Sequence, residues 1–194
     1  MTAELKKLVY VPILHAREEA VPKKEPSAID EMWEGIAAKI MELALPWEKT
    51  RIYQDGLPVC GEELKIIERL AGNGSRNHQL ILKLMEQGAK PEGTESMELL
   101  LREHDLLNVL LMKKSGAEQA AAMAEYQAKS RELLKVRDGF IFHRIKSALL
   151  QEDGVPLVFM GVMHRLDKLL EKDFLISHII YRLPFGSVGA IYNA

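Results

Sequence analysis

The chain has one cysteine, no marked excess of either charge and no long hydrophobic run, and each scarcity excludes a class of protein. Cys60 alone cannot form an intrachain disulfide or a Cys-x-x-Cys metal site. Its 26 basic and 28 acidic residues give a net charge of -2, so there is no broad positive field to attract nucleic acid. No apolar run approaches the ~18 residues of a membrane helix, and the first residues lack the apolar core of a secretion signal. We therefore expect a cytoplasmic protein that binds neither nucleic acid nor membrane.

The length and the alternation of elements predict the fold class. A chain of 194 residues with 47% hydrophobic and 28% charged residues is long enough for one packed domain and short for two. Apolar periodicity predicts strands at 8–15, 50–56, 155–164 and 175–181, and helices at 29–43, 61–70, 75–87, 97–113, 117–150 and 166–171. A mobile loop at 16–27, a loop at 90–96 and an irregular tail at 183–194 complete the chain. We expect a single α/β domain over 1–194, with a small parallel or mixed β-sheet flanked by helices and a long helix before the penultimate strand.

Two predicted strands, far apart in the chain, each end in a histidine. His15 closes the first strand, and His164 closes the strand that contains Gly161. Ligands of α/β proteins bind at the carboxyl ends of parallel strands, so the two imidazoles could share one cleft. There, they could bind a divalent metal or transfer a proton near neutral pH. The structural alternatives are that His164 caps the next helix at the surface and that His15 merely ends an edge strand.

An acid and a base in the middle of the chain are further candidates. Glu95 lies in a loop that enters a helix, where it could bind metal or act as a general base, or could simply offset the helix dipole. Arg137 lies among bulky apolar residues of the long helix and could clamp an anion with two hydrogen bonds. The alternative is structural pairing with an internal acid such as Asp55 or Glu95. Asp55 itself could reach the cleft or belong to a plain Asp-Gly turn, and Glu103 is expected to be solvated or ion-paired.

These residues together resemble a known superfamily. A histidine or glutamate after an early strand, a mid-chain acid, an arginine in a long helix and a late Gly-x-x-His motif correspond here to His15, Glu95, Arg137 and His164. The pattern is similar to the superfamily of erythromycin esterases, haem-binding ChaN-like lipoproteins and TraB/Tiki proteins. The resemblance implies a hydrolase-like cleft, metal-dependent in the Tiki branch and without an obligatory metal in the esterases. The chain departs from the family in having no glycine three residues before His15 and in being shorter.

Three functions follow as hypotheses. The first is hydrolysis of a small-molecule or peptide-like substrate in a cleft whose catalytic residues are His15, Glu95, Arg137 and His164. In that cleft, a divalent metal ion would be bound by His15, Glu95 and His164. The second is a non-catalytic protein that binds a metal, haem or an anion in the same cleft. The third is a homodimer in which the alanine-rich helix at 117–150 packs against a second copy.

Overall fold

Five parallel strands form the sheet of the structure, a computed structural model that describes residues 5–13, 28–112, 116–151 and 154–181. The strands are β1 (Lys6–Ile13), β2 (Thr50–Gln54), β3 (Lys90–Glu92), β4 (Val155–Gly161) and β5 (Phe174–His178). Their order across the sheet is β3-β2-β4-β1-β5, and every neighbouring pair is parallel. The prediction of an α/β fold with a small parallel sheet is confirmed.

Helices connect the strands and cover the sheet. They are α1 (Ala28–Glu42), α2 (Glu63–Gly72), α3 (Arg76–Glu86), α4 (Met97–Leu111), α5 (Gly116–Gln151) and α6 (Leu166–Leu170), with one turn of 3-10 helix at Trp47–Lys49. The 36 residues of α5 directly precede β4, which confirms the long helix before the penultimate strand. Within the described part of the chain, no helix combines the length and the apolar character that crossing a bilayer requires.

The strands alternate side chains between two apolar layers, because successive residues of a strand point to opposite faces. Val9 and Phe159 pack with α1, α2 and α3 on one face of the sheet, which we call the α1–α3 face. Leu8 and Val158 pack with α5 and α6 on the opposite face, which we call the α5–α6 face. Helices on both faces are what a parallel sheet requires, since its strands are buried on both sides.

The connections diverge at the carboxyl ends of β2 and β4, which lie side by side. The chain leaves β2 through α2 and α3 on the α1–α3 face and returns at the edge strand β3. It leaves β4 through α6 on the α5–α6 face and enters the opposite edge strand, β5. Such a divergence opens a crevice at the carboxyl ends of the two strands, and ligands of open α/β sheets bind there.

Three predicted boundaries are wrong, one of them the last strand, which was predicted at 175–181 and spans Phe174–His178. Residues 90–96, predicted as a loop, begin with β3, a three-residue edge strand that carries no apolar alternation and tolerates Pro91 because one of its sides is unpaired. The strand predicted at 155–164 ends at Gly161, so His164 lies beyond a turn and not at the strand terminus. His15, the loop predicted at 16–27 and the tail predicted at 183–194 lie outside the described residues.

Candidate functional site

Three potential metal ligands meet at the carboxyl edge of the sheet. Asp55 follows β2, Glu95 follows β3 and His164 follows β4, and one ligand atom from each lies within 4.8 Å of the others. All three residues are buried, and Glu95 is fully inaccessible to solvent. Asp55 lies two residues after Tyr53, so the alternation of the strand places both on the α5–α6 face. The cluster therefore lies in the crevice between β2 and β4.

A tight turn positions Asp55 and ties the two strands together. The Leu57 amide donates to the Gln54 carbonyl (3.2 Å), and Gly56 has a φ of 75°, a left-handed conformation that favours glycine. The Asp55 amide then continues the sheet by donating to the Phe159 carbonyl at 2.9 Å. Its Oδ2 accepts a hydrogen bond from the Gly161 amide at 3.0 Å. The sequence analysis gave two alternatives for Asp55, a place in the cleft or a plain Asp-Gly turn. In the structure Asp55 belongs both to the turn and to the cluster of potential ligands.

Glu95 is fixed through its backbone and its carboxylate. The Val59 amide donates to the Glu95 carbonyl (2.8 Å), and the Glu95 amide donates to the Leu57 carbonyl (3.0 Å). The carboxylate Oε1 accepts from the Gly56 amide at 2.9 Å. Burial raises the pKa of Glu95, hydrogen bonds from Arg137 oppose this rise, and the nearby Asp55 adds to it. The rise in this pKa is therefore chiefly an effect of burial, which the contacts with Arg137 offset only in part.

Arg137 is the central cation of the cluster. Its Nε donates to Glu95 Oε2 at 2.6 Å, and its Nη2 donates to Glu95 Oε1 at 2.5 Å and to Asp55 Oδ1 at 3.1 Å. Its Nη1 donates to the carboxylate of Glu103, on α4. Burial alone would lower the pKa of Arg137, but the carboxylates around it, Glu95 first, raise it. The guanidinium thus makes the structural pairing that was the alternative to an anion clamp, and Glu103 is ion-paired as expected.

His164 is held at both ring nitrogens by carboxylates. Its Nδ1 lies 2.6 Å from Asp138 Oδ1, and Asp138 Oδ2 accepts from the Arg165 amide at 2.9 Å. Its Nε2 faces Asp55 Oδ1 at 3.4 Å. Burial opposes the charged ring, but the hydrogen bonds to Asp138 and Asp55 outweigh it and raise the pKa of His164 to about 9. Because the residue is buried, the alternative of a surface histidine does not apply.

The charge balance of the cluster favours a cation. Six ionisable side chains take part: Asp55, Glu95, Glu103, Asp138, Arg137 and His164. With His164 protonated, two positive charges meet four negative ones, which leaves a net charge of -2. Carboxylate oxygens and an imidazole nitrogen are common ligands of divalent metals such as Zn²⁺. A carboxylate on the far nitrogen of a ligating histidine is the usual support of such a ligand. The side chains present therefore fit a divalent cation.

The structure brings together three of the four predicted site residues: Glu95, Arg137 and His164. It adds Asp138, which the sequence analysis did not single out, and Asp55, which the sequence analysis gave as a residue of the cleft, an acid paired with Arg137 or part of a plain turn. The sequence signal for Asp55 was its position at the end of a predicted strand. For Asp138, the only signal was its place next to Arg137 in an apolar stretch of helix. Whether any of these residues is catalytic stays a prediction.

Comparison of the chain with protein-family models, with curated proteins and with solved structures found no match. The resemblance to the esterase and TraB/Tiki superfamily, which rests on short motifs, therefore stays a prediction. What the fold defines is an α/β protein with a five-stranded parallel sheet and a buried ionic cluster at its carboxyl edge.

Proposed function

We propose that the protein is a hydrolase whose catalytic centre consists of Asp55, Glu95 and His164 and holds a divalent cation. The observation that carries the proposal is the environment of the His164 ring. One ring nitrogen is held by Asp138, while the other points to the carboxylate of Asp55. This is the arrangement in which a histidine serves as a metal ligand, so the site has the supporting residue as well as the ligands.

Asp138 keeps a hydrogen on Nδ1 of His164. A bound cation would take the place of the Nε2 proton, while the Asp138 carboxylate at 2.6 Å would go on accepting the Nδ1 hydrogen of the neutral ring. The amide of Arg165 holds the other Asp138 oxygen, so the carboxylate cannot rotate freely. Asp138 is therefore a positioning residue, which acts through His164.

Arg137 is a positioning residue for the other two ligands. Its bidentate contact with Glu95 fixes the plane of that carboxylate, and its contact with Asp55 adds to those that the Gly161 amide and His164 make with the second acid. Asp55 Oδ1 lies between Arg137 and His164, so two cationic neighbours keep this carboxylate ionised, and we expect it to serve as a ligand of the cation. A divalent cation, when bound, supplies Lewis acidity that polarises a carbonyl and lowers the pKa of water. The substrate class is a small or peptide-like ester or amide.

Metal analysis of variants tests the cation site. Protein purified without chelator and analysed by plasma mass spectrometry should contain about one divalent ion per chain, and His164→Gln should lose it. Asp138→Asn should weaken the affinity roughly 10–100-fold, as losses of supporting carboxylates do. His104→Gln, at an exposed position of α4, is the matched control and should keep the ion. Full metal content in both His164→Gln and Glu95→Gln would rule out the site.

Turnover is tested separately on the metal-loaded protein. A panel of esters, peptides and phosphoesters should give a rate that is lost in His164→Gln and retained in His104→Gln. His15→Ala asks whether the first histidine contributes to the same centre, as the sequence analysis predicts. Activity that is unchanged in Asp55→Asn and His164→Gln would contradict the hydrolase proposal.

A second candidate is a protein that binds the cation without turnover. The observation that favours it is burial, since the side chains of Asp55 and His164 are 6% and 4% exposed and leave little open surface for a substrate. In that case, the metal analysis gives the same result, but no compound of the panel is hydrolysed. A cytoplasmic location and association of α5 with a second copy of the chain are also proposals, and the latter is tested below.

A further inference from the structure

A cavity of about 250 Å³ opens beside His164 at the carboxyl edge of the sheet. The turn after β4 and the first turn of α6 form its walls, which consist of Val162, Met163, His164, Arg165, Asp167 and Lys168. Since it borders a member of the proposed centre, it is the place from which a substrate can approach His164. The other residues that line the cavity would therefore contact a bound substrate and contribute to substrate specificity.

One cation in this cavity is available to a ligand. Arg165 is exposed, and its hydrogen bonds in the described part of the chain are made by its backbone, to Asp138 and Lys168, and not by its guanidinium. Lys168 is engaged, because its Nζ contacts Glu171 at 2.8 Å. An arginine without an acidic partner can form a two-pronged contact with a carboxylate. Arg165 is thus the residue of the cavity that can bind an anionic group.

The neighbouring walls add two constraints on the anion. Val162 and Met163 are 53% and 74% exposed, so the cavity offers apolar surface next to the guanidinium. Asp167 also lines the cavity, and the cluster beneath it has a surplus of carboxylates. A single guanidinium in such surroundings suits a monoanion better than a dianion, because each further negative charge meets repulsion.

We propose that Arg165 selects substrates that carry one carboxylate and a short apolar chain. The inference rests on the proposed hydrolytic centre, because His164 connects the cavity to that centre. It adds the substrate class, an anionic ester or amide, and one specificity-determining residue outside the buried cluster.

Binding of a matched pair of ligands tests the inference without requiring turnover. Titration calorimetry on the full chain with added Mn²⁺ compares hexanoate with hexanamide, which has the same shape and no charge. Wild type should prefer hexanoate by roughly threefold to tenfold, the range expected for a partly exposed charged hydrogen bond. Arg165→Gln should abolish the preference, and Arg165→Lys should retain part of it. Lys172→Gln, which removes the same charge from an exposed residue outside the cavity, should leave it intact.

Equal binding of the two ligands, binding of neither, or the same loss in Lys172→Gln as in Arg165→Gln would overturn the inference. Hydrolysis of the mono-4-nitrophenyl ester of adipic acid separates it from the proposed function. A hexanoate preference that depends on Arg165, without hydrolysis of any ester, would refute the hydrolase and support the anion site. Hydrolysis with equal KM in wild type and Arg165→Gln would refute the role of Arg165 and leave the hydrolase standing.

Discussion

The two faces of one sheet end very differently at the carboxyl edge. On the α1–α3 face, the apolar layer ends in neutral amides, where Asn77 Nδ2 donates to Gln54 Oε1 at 2.6 Å. On the α5–α6 face, the adjacent residue Asp55 opens a cluster of four acids and two bases. Gln54, the last residue of β2, and Asp55, which follows it, thus lie on opposite faces of the sheet, because the alternation of the strand separates their side chains. The α1–α3 face stabilises the fold by burying apolar side chains. The α5–α6 face buries charged groups, which costs free energy unless the charges are paired, and such buried charged clusters are typical of functional sites.

The largest effect should come from removing the central cation of the α5–α6 face. Arg137→Met removes the cation that pairs with the buried Glu95 carboxylate and one of the two cations that face Asp55, so we expect a loss of about 3–5 kcal/mol in the free energy of unfolding. Urea denaturation with chelator present measures it. The double variant Glu95→Gln/Arg137→Met should recover part of the loss, because it removes one unpaired charge. A loss below about 1 kcal/mol in the single variant would mean that the cluster is not held by this pairing.

A cavity in the other face should destabilise the protein without affecting the site. Ile81 of α3 is fully buried in the apolar layer of the α1–α3 face. Ile81→Ala should cost about 3 kcal/mol through lost burial and the void that remains. In the folded variant, titration calorimetry should give the wild-type affinity for Mn²⁺. A marked fall in that affinity would show that the two faces are coupled, against the separation described above.

The third prediction concerns the pH dependence of stability. The folded pKa of His164 is about 9, above the ordinary 6.5, so protonation favours the folded state. Its contribution is fully present below pH 6.5 and is lost as the pH rises through 9. In chelator, the free energy of unfolding of wild type relative to His164→Gln should fall by on the order of 3 kcal/mol across this window. Parallel curves for the two proteins would contradict the charged interaction of His164 with Asp138 and Asp55.

The predictions of helices and strands were most accurate where the periodic pattern of apolar residues continues over many residues. The 36 residues of α5 and the strand β4 were identified because their apolar residues recur over many positions, and the short strand β2 was identified with the help of the Asp-Gly turn that follows it. β3 was missed because three residues at a sheet edge carry no such pattern. The end of β4 was misplaced because apolar residues continue through the turn at Val162 and Met163, where they are exposed. Periodicity reports burial, and it does not report where pairing stops.

The site could be predicted only in part, for a related reason. Glu95 and His164 were found because they lie near the ends of elements, where ligands of α/β proteins gather. Asp55 contacts the same cluster as Glu95 and His164 because β2 lies between β3 and β4 in the sheet. The order of strands in a sheet cannot be predicted from local sequence patterns. Asp138 joins the cluster from helix α5 and not from the end of a strand, so no strand pattern indicated it. For its neighbour Arg137, the predicted pairing with an internal acid such as Asp55 or Glu95 is present with both.

The smallest effect on stability is expected far from both faces. No described side chain between 116 and 136 of α5 is buried, and Ala121 lies within this exposed half. Ala121→Glu should therefore change the free energy of unfolding by no more than about 0.5 kcal/mol. If a second copy covers this helix, light scattering should give the mass of a dimer for wild type and of a monomer for the variant. A monomeric wild type would contradict the proposed dimer.

The bond from the Gly161 amide to Asp55 makes the backbone a reporter of the site. This amide lies at the end of a central strand and donates to the same carboxylate that is proposed to bind a cation. Whatever draws electron density from that carboxylate weakens its hold on the amide, so the nuclear magnetic resonance signal of Gly161 shifts with occupancy. The molecule thus carries its own spectroscopic label, one that needs no chemical modification and sits 3.0 Å from the oxygen it monitors.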